Sequence, residues 1–362
     1  MGQRKTPLLD LHVELGAKLT EFGGWDMPLQ YEGIIAEHNA VRGSCGLFDV
    51  SHLGKLRLTG PAAQDALQQA LTCDVSALGS DQASYALVLT DGAGCIDDVF
   101  VYRLGDDEWM VVPNASNVAA VAQAIAEAGG QPADEWDRYA ILALQGPDSF
   151  AVFTKVFHGS DATALPLHRW TYLDMSGHQG IVARTGYTGE RGFELYVPSE
   201  VAREVAQALL DSGATPAGLG ARDTLRLEMG YALYGHEIDL ETNPLEAGLG
   251  WAIKWDAPFR GRDALLKIRE QGPKRKLFGC KLTDRGVPRQ GYEVSRDGET
   301  VGTIVSGNYS PTLRTGIALA YAPIDKLPRP GDQVEIQARG RLLSADIVKP
   351  PFIRDDRSST EK

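Results

Sequence analysis

The order of apolar and polar positions predicts alternating strands and helices in the first two thirds of the chain. An apolar strand at residues 56–59 ends in Gly-Pro and precedes a helical pattern over 62–71. The same features recur at 142–145 and 148–157. Each proline is expected in the first turn of its helix, where a missing N–H is harmless. The pattern therefore predicts an internal repeat.

A second pair of segments repeats in the same order, at a spacing that differs from the first by one residue. Residues 109–113 and 194–198 each lead into a helical pattern, and Ser199 is suited to cap the second helix. Such repeats can place their loops around one shared cleft, where ligands bind. We expect two related α+β units, near residues 55–135 and 140–215.

Antiparallel strand pairs are predicted inside each unit. Strands at 83–90 and 99–104 flank one turn, and strands at 180–185 and 192–197 flank a Gly-rich loop, 186–191. We expect both connections to contribute to the cleft.

The last part of the chain changes to short strands separated by turns. Asp297-Gly298 between two alternating runs is a strong hairpin signal. The strand spacing predicts a small β-barrel or sandwich. We expect a first region over residues 1–275, this domain over 276–362, and a polar, mobile tail from Arg354. The predicted fold class is α+β, with two pseudo-repeated units and a C-terminal small β-barrel.

Two adjacent carboxylates, Asp97 and Asp98, precede the apolar strand that starts at Val99. Since side chains alternate across a strand, one Asp can face solvent while the other points inward. An inward carboxylate is costly without a partner and often serves acid–base or cation-stabilising chemistry. The alternative is a polar strand start with both side chains in water.

Charge and cysteine usage exclude several classes of function. The 362 residues include 48 acidic and 36 basic side chains, a net charge of −12 that argues against nucleic acid or an anionic membrane as the main partner. The four cysteines form no C-x-x-C pair, which speaks against a zinc site or disulfide framework, and Cys95 is expected to be a packing residue. The histidines lack metal-ligand spacing, so no metal is expected. No apolar run is long enough for a membrane span.

Standard catalytic signatures are also missing. The chain has no P-loop, no G-x-S-x-G elbow and no H-E-x-x-H helix. Gly218-Leu219-Gly220 begins a dinucleotide-like pattern, but Asp223 occupies the position of the third glycine. The sequence therefore contains no standard motif for nucleophilic catalysis, for metal-dependent catalysis or for nicotinamide binding.

Four residues near Gly-rich turns suit a flat, nitrogen-rich heterocycle. Glu194 can accept two hydrogen bonds from an amino-pyrimidine edge, and Tyr85 and Tyr187 can pack against ring faces. Arg222 can hold a carboxylate through two hydrogen bonds. Each has a structural alternative: Tyr85 in a strand core, Tyr187 at a surface hairpin tip, Glu194 on a sheet edge, and Arg222 paired near Asp223 or with Glu228.

The chain resembles the aminomethyltransferases, the T-proteins of the glycine cleavage system, over nearly its whole length. The resemblance rests on a series of motifs in a fixed order: 22–29 (FGGWDMPL), 46–52 (GLFDVSH), 96–98 (IDD), 185–190 (TGYTGE), 218–228 (GLGARDTLRLE), 233–237 (LYGHE), 243–246 (NPLE) and 306–313 (SGNYSPTL). Some family members carry tyrosines after a Lys-x-Pro-Phe segment, and none follows residues 349–352 here.

The resemblance implies a folate-binding region and a one-carbon transferase without a metal. The substrate would be an aminomethyl group on the lipoyl sulfur of H-protein, and the co-substrate tetrahydrofolate. The products would be 5,10-methylenetetrahydrofolate, ammonia and the dihydrolipoyl carrier. The catalytic carboxylate would be Asp98, and folate contacts would come from Tyr85, Asn114, Tyr187, Glu194 and Arg222.

Two other functions remain open at this point. One is a folate-dependent demethylase of the same fold, and the other is a non-catalytic folate-binding regulator, which would not need Asp98. No secretory signal is seen at the N-terminus. We expect a cytoplasmic protein, or one of the mitochondrial matrix if the source is eukaryotic and the transit peptide is absent.

Overall fold

The N-terminal segment forms a small sheet that borders both repeat units. The computed structural model describes residues 3–353, so the predicted mobile tail from Arg354 lies outside the described residues. Strands β1 and β2 flank β3 in this sheet. The segment comprises β1 Arg4–Lys5, α1 Leu9–Glu14, β2 Lys18–Phe22, β3 Trp25–Gln30, α2 Ile34–Gly43 and β4 Gly46–Asp49.

The first repeat unit is a five-stranded sheet with two helices on one face. Its strands lie in the order β6-β7-β8-β5-β9. Its helix α3 begins two residues after Pro61, so the proline lies in the preceding Gly-Pro turn rather than in the helix. The elements are β5 Leu56–Thr59, α3 Ala63–Ala70, β6 Ala83–Leu89, β7 Cys95–Gly105, β8 Glu108–Val112, α4 Val118–Glu127 and β9 Ala133–Asp134.

The second unit repeats this order of elements. Its sheet runs β11-β12-β13-β10-β4-β14, so β4 from the N-terminal segment is inserted beside β10. Ser199 does not cap α6: its hydroxyl donates to the Asp137 carbonyl, and Val201 precedes the helix. The elements are β10 Tyr139–Gln145, α5 Ser149–Val156, β11 Trp170–Met175, β12 His178–Ala183, β13 Gly192–Pro198, α6 Ala202–Asp211 and β14 Thr215–Pro216.

In the structure, the equivalent loops of the two repeat units are not the ones that the sequence pattern paired. The loop after β12 is equivalent to the β7–β8 turn, and not to the β6–β7 turn as the sequence pattern implied. The reason is β11, which alternates buried and exposed positions and carries no long apolar run. The two connections that were expected in the cleft therefore come from non-equivalent places.

The two sheets stack face to face, and their helices cover the outer faces. Alternation along β10 separates the two cores: Ile141 and Ala143 point between the sheets, whereas Leu142 and Leu144 point towards α5 and α6. Tyr102 of the first unit and Tyr196 of the second meet in the inter-sheet core. This interface lies beside the cleft of the two units.

Two further helices connect the repeat units to a closed six-stranded barrel. They are α7 Leu219–Met229 and α8 Arg262–Gln271. Asp297 and Gly298 both adopt positive φ angles (54° and 81°), as the predicted two-residue hairpin turn requires. The α+β class, with two repeated units and a C-terminal barrel, is confirmed. The barrel strands are β15 Arg275–Leu282, β16 Glu293–Arg296, β17 Glu299–Ser310, β18 Thr315–Pro323, β19 Gln333–Ala338 and β20 Arg341–Val348.

No helix within residues 3–353 has both the length and the apolar character that crossing a bilayer needs.

Candidate active site

The acidic pair lies inside a strand rather than in the turn before it. Strand β7 begins at Cys95, so Asp97 and Asp98 are paired with β6 and point to opposite faces of the sheet. Asp97 is fully buried on the face covered by α4, and Asp98 is partly exposed on the face towards the second unit. The interpretation that both carboxylates are in water is therefore wrong.

The start of β7 is held by the segment around Leu240. The backbone N–H of Cys95 donates to the Asp239 carbonyl at 2.9 Å. A Cβ atom on Gly94 would lie 1.8 Å from the Leu240 carbonyl oxygen, so only glycine allows this approach. Cys95 itself is fully buried, and burial raises the pKa of its thiol, which supports the packing interpretation.

Two hydrogen bonds orient the Asp98 carboxylate. The Tyr85 hydroxyl donates to Oδ2 at 3.1 Å, and Asn114 Nδ2 donates to Oδ1 at 2.9 Å. Burial raises the pKa of Asp98, while both hydrogen bonds oppose the rise. This carboxyl can therefore exchange a proton nearer to neutral pH than an exposed Asp.

Tyr85 lines the cleft and is half-buried, so it is not an ordinary core aromatic. Its ring stacks on Trp251 with centroids 5.2 Å apart and planes inclined by 24°. Trp251 is 70% exposed, although large aromatics are usually well covered. Burial and the charge of Asp98 raise the pKa of Tyr85, which keeps its hydroxyl neutral and donating.

Glu194 lies in a central strand, which contradicts the sheet-edge alternative. Strand β13 has β10 on one side and β12 on the other, and Glu194 is 8% exposed. Its Oε2 accepts a hydrogen bond from the Thr185 hydroxyl. Burial raises the pKa of Glu194, and both Thr185 and the charge of Arg222 oppose that rise.

Arg222 is the cation of the site and has no carboxylate partner among residues 3–353. Its guanidinium lies 4.7 Å from the centroid of the Tyr187 ring, and its Nη1 is buried without a hydrogen bond. Both predicted pairings are wrong, because Asp223 binds Arg226 and Glu228 binds Arg42.

An unpaired guanidinium that faces a cleft is a ready site for an anionic or carbonyl group of a ligand. The helix that carries Arg222 begins at Leu219, with Gly218 as the preceding residue. Arg222 therefore lies in the first turn of α7.

Tyr187 is not a surface hairpin tip. It is half-buried, its hydroxyl donates to the Ala232 carbonyl, and its ring lies 5.7 Å from that of Tyr231. Burial raises the pKa of Tyr187; the charges of Arg226 and Arg222 lower it, and the charge of Asp98 adds to the rise. Tyr187 therefore lies between the acidic residues of the first unit and the arginine of α7.

The structure adds polar residues that sequence reasoning missed. Tyr196 donates to Tyr102 at 2.9 Å, Tyr102 lies 3.3 Å from Thr185, and Thr185 donates to Glu194. This hydroxyl chain lies between the two sheets, and local sequence gives no signal of it except that Thr185 begins the Gly-rich loop.

His52 was also missed. It is buried, its Nδ1 has no hydrogen-bond partner within residues 3–353, and burial together with the charge of Arg222 lowers its pKa to about 3. A neutral imidazole therefore lies close to the arginine.

Together these groups can bind a planar ligand and act on it. Aromatic faces come from Tyr85 and Tyr187, acceptors for ligand N–H groups from Glu194 and Asp98, and a cationic group from Arg222. No three His, Cys, Asp or Glu side chains in the described part of the chain are grouped to hold a metal ion.

Comparisons with known proteins agree with this picture over nearly the whole chain. The family model for the GCVT N-terminal domain matches residues 8–257, and that for the glycine cleavage T-protein C-terminal barrel domain matches residues 275–353.

The aminomethyltransferase of Halothermothrix orenii is 47% identical over 358 residues, covering 97% of this chain and 100% of the relative. That of Mycobacterium tuberculosis is 47% identical over 361 residues, covering 96% of each chain. The crystal structure of the glycine cleavage system aminomethyltransferase T from Bartonella henselae superposes with a TM-score of 0.91 at 33% identity, covering 97% of this chain and 98% of that one. The chain belongs to the aminomethyltransferase family of glycine cleavage T-proteins.

Proposed function

We propose that this protein releases ammonia from the aminomethyl-lipoyl arm of H-protein and transfers the carbon to tetrahydrofolate. The products are 5,10-methylenetetrahydrofolate, ammonia and the dihydrolipoyl carrier. The observation that carries the proposal is the Asp98 carboxylate, oriented by Tyr85 and Asn114, with Tyr187 within reach of the charges of both Asp98 and Arg222 and with Arg222 near Glu194. The protein would act in glycine catabolism and one-carbon metabolism, in the cytoplasm of a bacterium.

The bonds balance without an oxidant or a metal. The carbon leaves sulfur and its amino nitrogen, and it forms two bonds to folate nitrogens. The two hydrogens displaced from those nitrogens leave with the thiol and with ammonia. Folate is a co-substrate in this reaction and is regenerated elsewhere.

Asp98 would act on the charge that develops during this exchange. A one-carbon unit that moves between sulfur and nitrogen acquires iminium-like positive charge at carbon. A fixed carboxylate stabilises that charge and can also receive a proton from a folate nitrogen. Alignment of the two bound reactants would supply much of the remaining rate.

The folate would be held mainly by the second unit and α7. Glu194 is a buried acceptor that suits the amino-pyrimidine edge, and Tyr85 and Tyr187 offer ring faces. The unpaired Nη1 of Arg222 suits a carbonyl or carboxylate oxygen of the folate.

The test is ammonia release from aminomethylated H-protein with and without tetrahydrofolate. We expect release that depends on folate, with methylenetetrahydrofolate formed in equal amount. Asp98→Asn should lower kcat by about 10²–10³-fold and leave the folate Kd nearly unchanged. Asp106→Asn, in the exposed turn after β7, is the matched control and should keep full activity.

Three outcomes would overturn the proposal. Folate binding without ammonia release would favour the regulator. Methyl transfer from a sulfonium or methoxy donor would favour the demethylase. Full turnover in Asp98→Asn would remove Asp98 from the catalytic assignment.

A further inference from the structure

Asp97 is a fully buried carboxylate that the proposed reaction does not use. It lies on the helix-covered face of β7, next to Asp98 in sequence and on the opposite side of the sheet. A buried carboxylate is costly unless hydrogen bonds compensate for its lost hydration. The surroundings of Asp97 indicate what the buried carboxylate does.

Three N–H groups surround Asp97. Its Oδ2 accepts from the Asn114 backbone at 2.8 Å, and its Oδ1 accepts from Asn114 Nδ2 at 2.8 Å and from Asn117 Nδ2 at 2.7 Å. Asn117 directly precedes α4, whose N-terminal dipole also favours a negative charge. Burial and the charge of Asp98 raise the pKa of Asp97 to about 8, and the three donors oppose that rise.

One amide group links Asp97 to Asp98. The two hydrogens of Asn114 Nδ2 are directed to Asp97 Oδ1 and to Asp98 Oδ1, at 2.8 and 2.9 Å. If the amide were turned over, its oxygen would face both carboxylates. Asp97 therefore fixes which end of Asn114 faces Asp98.

We infer that Asp97 is a positioning residue for the aminomethyl transfer, acting through Asn114 to hold the Asp98 carboxylate in one orientation. This inference rests on the proposed function for its kinetic test. Asp97 does not contact the cleft, and its role is to restrict Asn114.

Asp97→Asn is the direct test, because it keeps the shape of the side chain. Whichever way the new amide turns, one N–H of Asn114 loses its acceptor. We expect kcat to fall by about 10²-fold, as displacements of about 1 Å in a catalytic group do, with the folate Kd changed less than about threefold. Asp107→Asn, in the exposed turn after β7, is the matched control.

The pH profile separates positioning from stability. The titratable groups that respond to the charge of Asp98 are Tyr85, Cys95, Asp97 and Tyr187. Burial keeps the tyrosines and the cysteine neutral, and donation from Asn114 lowers the pKa of Asp98, so a weaker Asn114 hydrogen bond in Asp97→Asn should raise the pKa of Asp98. The acid limb of the rate profile should move to higher pH in Asp97→Asn.

A double variant checks for a merely structural role. Asp97→Asn with Asn117→Asp restores a hydrogen bond and a negative charge beneath α4, but it does not restore both acceptors for Asn114. We expect kcat to stay low in the double variant, whichever way its melting temperature differs from that of Asp97→Asn. Recovery of kcat in the double variant would overturn the inference.

If the proposed reaction is wrong, the role of Asp97 can still be tested by a measurement that does not depend on activity. If wild-type protein releases no ammonia in the presence of tetrahydrofolate, the reaction is wrong, and Asp98 can still be titrated by carboxyl carbon NMR. The inference predicts a higher pKa and a changed chemical shift for Asp98 in Asp97→Asn, because the hydrogen bond from Asn114 is weakened. An unchanged Asp98 titration would overturn it.

Discussion

At the scale of single residues, burial determines what each carboxylate of the site can do. Asp98 and Glu194 both lose hydration, which raises the pKa of each, and both recover part of that cost through one or two hydroxyl or amide donors. Arg222 is buried as well, and burial lowers its pKa. These side chains are therefore strained electrostatically in the absence of a ligand, as is common in binding sites.

Asp98→Asn should make the protein more stable although it lowers kcat by about 10²–10³-fold. The pKa of Asp98 is raised in the folded state, so ionisation of Asp98 weakens folding as pH rises past the ordinary Asp range. The uncharged variant escapes this cost. We expect a higher melting temperature at neutral pH and no difference in acid, where both side chains are neutral.

Thermal unfolding followed by circular dichroism at several pH values would measure this effect. Asp106→Asn, whose side chain is almost fully exposed at 99%, should show no such pH-dependent gain. A loss of stability in Asp98→Asn at neutral pH would contradict the argument.

At the scale of elements, the site depends on hydrogen bonds that cross between the two repeat units. Tyr102 belongs to β7 of the first unit, whereas Tyr196 and Glu194 belong to β13 of the second. Each of the three hydroxyls has a single hydrogen to donate. Tyr196 donates to Tyr102, which leaves the Tyr102 hydrogen for Thr185 and the Thr185 hydrogen for Glu194. The stacking of the sheets thus orients a binding residue.

Tyr102→Phe should weaken folate binding without affecting the chemical step. It removes one hydroxyl, worth about 0.5–1.5 kcal/mol, from a chain that ends on Glu194. We expect the folate Kd to rise by about two- to tenfold at nearly constant kcat. Isothermal titration with tetrahydrofolate, alongside the ammonia assay, measures both quantities.

Tyr196→Phe is the matched control for that experiment. It removes the first donor of the chain and leaves donation from Tyr102 towards Thr185 intact, so its effect on the folate Kd should be smaller. Equal effects of the two variants would contradict the directional chain.

At the scale of the whole molecule, the barrel fixes α7 and therefore Arg222. Glu228 is completely buried, and its carboxylate accepts hydrogen bonds from Arg42 of α2 and from Ser310 and Thr312 of the barrel. Two residues before Glu228, Arg226 binds Ser306 of β17. Arg222 lies about one turn before Arg226, near the N-terminus of α7.

Glu228→Gln should destabilise the protein by about 1–3 kcal/mol, because it removes one of the two buried carboxylates that pair with Arg42, while Glu190 remains. Burial raises the pKa of Glu228, but His38, Ser310 and Arg42 outweigh it and lower the pKa to about 2, so its stabilising contribution is present above the ordinary Glu range and is lost as pH falls towards that value. Urea unfolding at neutral and acid pH measures this loss.

Glu299→Gln, an exposed change in the barrel, serves as the control and should leave stability unchanged within about 0.5 kcal/mol. If Glu228→Gln unfolded at the same urea concentration as wild type at neutral pH, the barrel junction would not stabilise α7.

The sequence by itself determined the features that depend on local chemistry. Alternation along β7 separates Asp97 from Asp98, Asp297-Gly298 makes the hairpin turn because both residues accept positive φ, and the recurring Gly-Pro strands mark the repeat. The helices predicted over 62–71 and 148–157 are each one residue shorter at both ends, since capping depends on neighbours that the local sequence does not contain. The order of motifs was sufficient for the family.

Only the tertiary structure decided how the site is built. Nothing near Glu194 in sequence indicates that β13 is central, and nothing near Arg222 indicates that Glu228 is already bound to Arg42. Burial and hydrogen-bond partners are properties of segments brought together from distant parts of the chain. The pKa of each site residue depends on those neighbours, so the electrostatics of the cleft are fixed only when the two sheets and α7 have packed together.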